Sequence, residues 1–401
     1  MYKLNLRQVS YALSEALDMV GVDDLYHGKR VAFMASKICQ VLGFDTKRID
    51  KIINIGMLHD CGVSNTDVHI HLVTELDWDG SQNHCIRGAA LVKKVVMYKE
   101  YADTILYHHT HWRDLENIDI SHESKIDTNV ILLADRVDAP RAQKKSYSEI
   151  IEILVTQKSE MFNAQLVDAF IEVSKPDSFW LYLENHNIEL FLQEWITGGE
   201  EEAYSYAHLK EIAFMFSNIV DAKSTFTAEH SVNVSKVALY LAYKFELSQQ
   251  QIETLELAAL LHDLGKLRVD DAILDKHGPL NTEERHILDR HGFDSEMILR
   301  KIDGFKEIAC LASTHHETLD GKGYPYQKHE EALSIESRIL MLSDVFQALV
   351  QNRPYREQLT IPKILEILHE MKTEGKIDIH VLAIIEENID ELYAIANSKV
   401  Y

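Results

Sequence analysis

The sequence predicts an all-α protein made of two tandem helical domains. Three observations carry that expectation: few helix breakers, apolar residues at helical spacing, and one order of histidines and aspartates written twice. Only 16 glycines and 6 prolines occur in 401 residues, against 46% hydrophobic residues, a composition that suits long helices and leaves little room for strands. A chain of this length exceeds one ordinary core, so two domains of roughly 200 residues are expected.

The helical spacing is clearest around the histidines. In ETLELAALLHDLGKL, Leu257, Leu260, Leu261 and Leu264 fall on one helical face, and VNVSKVALYLAYKF after His230 patterns likewise. Gly265 stands just past the His262-Asp263 pair, where it is expected to stop the helix and leave Lys266 projecting over the pair as a phosphate contact.

The duplication rests on spacing. His27 precedes His59-Asp60 by 32 residues, and His230 precedes His262-Asp263 by the same 32. Farther on, His84, the doublet His108-His109 and Asp135 match His291, the doublet His315-His316 and Asp344, while the offset drifts from 203 to 207 and then 209. Small loop insertions account for the drift, and the period marks an internal repeat. Related helical text closes each half, SEMFNAQLVDAFIEV near residue 160 and TEGKIDIHVLAIIEE near residue 374. The paired glycines and charge run of ITGGEEEAYSY put the junction near residue 200, giving domains 1–199 and 200–401.

A net charge of −23 disfavours polymeric nucleic acid and anionic membranes as partners, because both bind clustered Lys and Arg. A small anionic substrate then needs a local source of positive charge, and bound metal ions are the most concentrated one. Cys39, Cys61, Cys85 and Cys310 form no C-x-x-C pair and no disulfide framework, as in a reducing cytoplasm. The N-terminus lacks a basic region followed by an apolar run, and no stretch is long enough to span a bilayer, so a cytoplasmic location is expected.

In the second half, His230, His262, Asp263, His291, His315, His316 and Asp344 supply five imidazoles and two carboxylates without a cysteine. Such donors favour iron, manganese, zinc or nickel over calcium or magnesium, and seven of them suit two divalent ions. Asp263, beside a ligating histidine, is the expected bridge. A metal pair lowers the pKa of water to about 7 in favourable cases and stabilises attacking and leaving oxygens at phosphorus, so phosphoester hydrolysis is the expected chemistry. Any one of these histidines alone reads as a core or surface residue, but a twice-repeated order of seven does not.

The runs H-D-L-G-K at 262–266 and H-H-E-T-L-D-G-K-G-Y-P at 315–325 closely resemble the HD-GYP phosphodiesterases, a branch of the HD superfamily of metal-dependent phosphohydrolases. The resemblance covers roughly 215–401 and takes in T-A-E-H-S at 227–231, the D-R-H segment ending at His291, S-D-V-F-Q-A-L from Ser343 and R-P-Y-R at 353–356. It implies hydrolysis of cyclic di-GMP to a linear dinucleotide by two divalent ions, iron or manganese ahead of nickel or zinc, held by the same seven residues. Asp263 and Lys266 become the catalytic candidates, and Lys266, Lys322, Tyr324, Arg353 and Arg356 the candidate substrate contacts. Gly321 and Gly323 permit close backbone approach, and Tyr324 can stack or hydrogen-bond. The bland alternatives are a surface salt bridge for Arg353 and Arg356 and an ordinary turn for the loop. Some family members carry a Glu four residues before the first ligating histidine and hold a third metal. Phe226 stands at that position here, which favours a dinuclear centre. Cyclic GMP-AMP competes as substrate, since one purine-edge contact could exchange the preference. A non-catalytic nucleotide sensor acting on a signalling partner protein is the reading from another class, and a homodimer is compatible with either.

In the first half, His27, His59, Asp60, His84, His108, His109 and Asp135 keep the whole ligand order, so a second metal site is expected. Val63 takes the place of Lys266, and THWRDLEN after the doublet contains no Gly-Tyr-Pro loop, so this half resembles a plain HD domain. A second phosphohydrolase site, acting on the linear product or a mononucleotide, fits that pattern. So do a regulatory metal or nucleotide site and an inert packing partner. Arg113 and Arg136 read as phosphate contacts or surface residues, and Cys61 and Cys85 as small buried residues rather than ligands.

Overall fold

A computed structural model of the chain describes residues 1–20, 26–63, 66, 68, 71–72, 75, 78, 80–223, 229–351 and 357–398. It separates into two compact units, one of Asn5–Glu202 and one of Met1–Leu4 with Ala203–Tyr401. The first four residues belong with the second unit because β1 (Tyr2–Leu4) pairs with β2 (Glu202–Tyr204), and the Tyr2 hydroxyl donates to Glu253. Those two short strands form the one sheet among the described residues, and the rest of the ordered structure is helical, as expected.

Six helices frame the ligand-type residues of the first unit: α1 (Leu6–Asp18), α2 (His27–Val41), α3 (Thr46–Leu58), α4 (Gln82–Val92), α5 (Ala102–Tyr107) and α6 (His122–Ala142). Six more follow in the same order in the second unit: α7 (Tyr206–Asp221), α8 (His230–Lys244), α9 (Gln249–Leu261), α10 (His291–Leu299), α11 (Lys306–Ser313) and α12 (Ile335–Val350). Half of these twelve begin on a polar cap that satisfies a first-turn amide. Asp45 accepts from Arg48 N and Ser121 from Ser124 N, and Ser248 exchanges bonds with Gln251 in a capping box. In contrast, α2 and α8 open directly on His27 and His230 with no side-chain cap.

In the first unit α2 packs on α3 and α6, and in the second α8 packs on α9 and α12 while α10 packs on α11. Tyr11, Ala32, Ile53, Met57 and Leu192 form one buried cluster of the first unit. Leu257, Leu260, Leu261 and Leu264 are all buried, each stabilising the core by roughly 1.5–3 kcal/mol.

One local expectation is corrected. Helix α9 ends at Leu261, before the glycine, and Gly265 lies inside a 3-10 turn, Leu264–Arg268. Its role is close approach: a Cβ there would stand 2.1 Å from the carbonyl oxygen of His291. Gly62 repeats the arrangement, with a Cβ position 1.9 Å from His84 O.

Candidate metal centre

Six of the seven ligand-type residues of the second unit stand at or just past helix ends, and the seventh lies mid-helix. His230 is the first residue of α8, His262 caps the C-terminus of α9 and Asp263 follows it. His291 opens α10, His315 and His316 lie just past α11, and Asp344 projects from the middle of α12. Helix ends suit this task because the last-turn carbonyls are free to accept. His262, His291 and His315 each use Nδ1 to donate to the carbonyl three residues earlier, at Ala259, Leu288 and Ala312, over 2.6–2.7 Å. That bond fixes the proton on Nδ1 and leaves Nε2 as a lone pair turned inward.

Asp263 stands between two groups of imidazoles. Its Oδ2 lies 3.4 Å from His262 Nε2 and 3.7 Å from His230 Nε2, while Oδ1 lies 3.5 Å from His291 Nε2 and 3.8 Å from His315 Nε2. Asp344 makes a second link, with Oδ1 3.2 Å from His230 Nε2 and Oδ2 3.8 Å from His316 Nδ1. One donor atom from each of His230, His262 and Asp344 forms one tight group, and one from each of His291, His315 and His316 another.

This arrangement fits metal ions better than internal hydrogen bonding. Burial pushes His291 down to about 4 and His316 to about 3, so both are neutral at pH 7. The Nε2 atoms of His291 and His315 face each other at 3.1 Å although both rings carry their proton on Nδ1, so two lone pairs confront one another. His230 Nε2, His262 Nε2 and Asp263 Oδ1 are buried with no hydrogen-bond partner. Burial alone would raise the carboxyl groups of Asp263 and Asp344, but the surrounding imidazoles and Lys266 hold Asp263, and the imidazoles Asp344, well below the usual range. Ionised carboxylates and neutral imidazoles with orphaned donor atoms are what borderline divalent cations require.

The predicted substrate contacts divide. Lys266 Nζ donates to Asp263 Oδ2 at 2.6 Å and sits at the rim, with its side chain 18% exposed. Tyr324 packs its ring 4.7 Å from that of His316, and burial raises its hydroxyl so that it stays a donor at neutral pH. Lys322 is drawn elsewhere, 80% exposed and paired with Asp320 at 3.3 Å. Arg353, Arg356 and Phe226 lie outside the described residues.

Glycine is required in the Gly-Tyr-Pro loop. A Cβ at Gly323 would meet His316 O at 2.5 Å, and Gly321 has φ +73°. The sequence reading missed what pins this loop: buried Glu317 accepts from Tyr326 N at 2.6 Å and Lys328 N at 2.9 Å.

The first unit repeats the geometry. Asp60 Oδ2 lies 3.4 Å from His59 Nε2 and 3.8 Å from His27 Nε2, and Oδ1 lies 3.2 Å from His84 Nε2 and 3.7 Å from His108 Nε2. Asp135 Oδ1 is 3.3 Å from His27 Nε2, and Oδ2 is 4.0 Å from His109 Nδ1. His27 Nδ1 meets Asp138 Oδ2 at 2.9 Å, an orienting carboxylate that spacing had not revealed. Arg136 is neither a surface residue nor open to phosphate: it is buried, bonded to Asp135 and to the carbonyls of Leu72 and Glu75. Arg113 is exposed and pairs with Glu160. Cys85, read from sequence as packing, has its Sγ 3.7 Å from His84 Nε2.

Comparison with known proteins agrees with the duplication of the domain. Family models described as HD domain match residues 24–139 and 215–381. The chain is 34% identical to 3'3'-cGAMP-specific phosphodiesterase 1 of Vibrio cholerae over 98% of its own length and 94% of the relative's. It is 32% identical to the cyclic di-GMP phosphodiesterase response regulator RpfG of Xanthomonas campestris over 41% of this chain and 44% of that protein. The crystal structure of a cyclic GMP-AMP phosphodiesterase of V. cholerae, V-cGAP3, shares the fold with TM-score 0.67 at 24% identity, covering 97% of this chain and 98% of the other. The chain therefore belongs to the HD-GYP family of metal-dependent cyclic dinucleotide phosphodiesterases, with an additional HD domain ahead of the HD-GYP domain.

Proposed function

We propose that the second domain opens a 3',3'-cyclic dinucleotide, with 3'3'-cGAMP ahead of cyclic di-GMP as substrate. His230, His262, Asp344 and Asp263 would hold one divalent ion, and His291, His315, His316 and Asp263 another, iron or manganese suiting the donors best. The observation that carries this reading is Asp263, whose two oxygens face two separate imidazole groups. The substrate order rests on likeness over the whole chain: the relative matched along 98% of it is named for cGAMP, whereas the cyclic di-GMP regulator matches 41%.

When bound, such an ion pair acidifies water and spreads the charge of a phosphodiester during displacement. The protein contributes position and charge. The imidazoles would offer their inward lone pairs as ligands, and Lys266 brings an ammonium group to the rim for a phosphate oxygen. Half-buried Tyr324 offers its hydroxyl beside His316, on a loop held by Glu317. Arg353 and Arg356 remain proposed phosphate contacts on the strength of their motif.

For the first domain we favour metal binding without independent hydrolysis of a dinucleotide. Asp60 straddles its imidazoles as Asp263 does, but Val63 is buried where Lys266 stands and the pinned loop has no counterpart. Among the described residues no helix is long and apolar enough to cross a membrane. The cysteines are free, which supports a cytoplasmic setting.

The test is to incubate the metal-loaded full chain with 3'3'-cGAMP and with cyclic di-GMP and resolve the products by chromatography. A linear dinucleotide from cGAMP at the higher rate is expected. Faster cleavage of cyclic di-GMP overturns the substrate order, and cleavage of neither overturns catalysis. His262→Ala should abolish turnover while retaining nucleotide affinity.

A further inference from the structure

The two halves differ at the residue after the third ligating histidine. In the second unit this is Gly292, where a Cβ would stand 2.9 Å from Ser313 O and 3.6 Å from Pro325 Cδ of the Gly-Tyr-Pro loop. The Ser313 carbonyl at the end of α11 leaves no room for a side chain, and the loop packs in ordinary contact beside it. The first unit has no such loop, and the matching residue is Cys85.

The thiol points into the imidazole cluster. One donor atom from each of His84, Cys85, His108 and His109 lies within 4.8 Å of all the others, the geometry of four ligands around one ion. Cys85 Sγ is 3.7 Å from His84 Nε2, which is 3.1 Å from His108 Nε2. His108 donates Nδ1 to Ile105 O at 2.7 Å, leaving its Nε2 lone pair toward the group. His109, with a side chain only 7% exposed, has Nε2 buried and without a hydrogen-bond partner, and Asp60 Oδ1 facing the same group is likewise unpartnered. The thiol now donates to Ser81 O at 3.3 Å, a bond given up when a cation takes the sulfur and the proton leaves to solvent.

We propose that Cys85 is a thiolate ligand in the first domain, joining His84, His108 and His109 around one divalent ion. This inference rests on metal binding by that domain. Three imidazoles and a thiolate form a borderline-to-soft set that favours zinc, whereas the second domain offers only nitrogen and oxygen. The two centres of one chain are thereby tuned to different ions, with sulfur in the domain that lacks the catalytic lysine and loop.

Cobalt substitution of the full-length protein tests the assignment, because a thiolate bound to Co²⁺ gives a near-ultraviolet charge-transfer band that imidazole and carboxylate ligands do not. The expected result is a band in the wild type that disappears in Cys85→Ser and Cys85→Ala and persists in Cys61→Ser and Cys310→Ser. Zinc affinity of the first domain should fall at least about 10-fold in Cys85→Ser, the loss that even an outer partner of a ligand causes. A band that survives Cys85→Ser, or its absence from a wild type whose bound cobalt falls on His108→Ala, overturns thiolate ligation. Cobalt content unchanged by His108→Ala instead overturns metal binding by the first domain, and the proposal with it. Circular dichroism melts of each variant confirm that the fold is retained.

Discussion

Replacing Gly265 by alanine tests whether direct backbone contact holds the second domain's centre together. The new Cβ would lie 2.1 Å from His291 O and 2.8 Å from Asp294 Cβ. Neither neighbour can swing away: the first is backbone in the opening turn of α10, and Asp294 is tied to Arg290 by bonds of 2.8 and 3.0 Å. Ser295 adds a clamp, accepting from Gly265 N at 2.8 Å and donating to His262 O at 2.9 Å. Since a Cβ is essentially never found within 3.0 Å of such an atom, the turn and α10 must part from 2.1 Å to at least that distance. Overpacking of this kind costs about 1–3 kcal/mol, and with backbone on the receiving side we expect about 3. For a domain of roughly 200 residues that lowers Tm by about 6–12 °C. The same displacement carries His291 away from Asp263, and a misplacement near 1 Å is able to cost about 100-fold in turnover. Circular dichroism melts and product chromatography read the two effects. Gly278→Ala is the control, because nothing lies within 4 Å of its added Cβ, and it should stay within about 0.5 kcal/mol of wild type. A Gly265→Ala protein that melts and turns over like wild type would refute the role given to this contact.

Lys266→Met should lower kcat/KM by about 100-fold, the scale of one lost charge-stabilising donor, with metal content by elemental analysis unchanged. Loss of metal instead would show that Lys266 supports the centre rather than the substrate. Glu317→Gln removes the charge from a carboxylate that accepts two loop amides, so a loss of roughly 1.5–3 kcal/mol is expected, with a raised KM and faster proteolysis around residues 320–328. Unaltered proteolysis would mean that the loop is held by something else. Asp378 supplies a pH test away from the metals: burial would raise its carboxyl, but Arg338 at 2.8 Å and the amides of His380 and Val381 hold it below its ordinary value. Its ionised form therefore contributes stability above the unfolded value of about 3.9, lost as pH falls through the folded value. Asp378→Asn should cost about 1 kcal/mol in urea melts at pH 7 and at pH 5, a deficit that shrinks as pH falls below about 3.9; a deficit that does not shrink would assign the effect to packing.

The ligand order was legible because it is a pattern in the chain itself: histidines at helix ends recur at fixed separations, and helix geometry turns separation into position. Gly265 shows the limit of such reading. A glycine past an apolar run fits a helix stop, yet the constraint comes from His291 O, 26 residues on, and local text carries no trace of that approach. Glu317 and Asp138 were missed for a related reason: each acts on a backbone or a ring that only tertiary packing brings near. Arg136 reads as a surface cation until the fold buries it between Asp135 and two carbonyls. Lys322 stands inside a specific motif, but the exposed turn gives it Asp320 as partner.

The differences between the copies fall on what surrounds the ligands. His27 rests its Nδ1 on the carboxylate of Asp138, itself held by Arg30 at 2.7 and 2.8 Å, whereas His230 rests Nδ1 on the amide oxygen of Gln351 at 3.2 Å. By the repeat, Arg30 and Asp138 correspond to Asn233 and Gln347, so a buried ion pair in the first domain faces neutral amides in the second. A carboxylate behind a ring raises the donor strength of the opposite nitrogen, while a neutral amide orients it without that gain. In the first domain His27 would thus be the more basic donor, and buried Val63 stands where the second has Lys266. The second gives His230 the weaker support of an amide and carries Lys266 and the Gly-Tyr-Pro loop at the rim, where the proposed phosphate would arrive. Strong holding and an open, cationic rim are separate demands on one scaffold, and duplication lets each copy meet one of them.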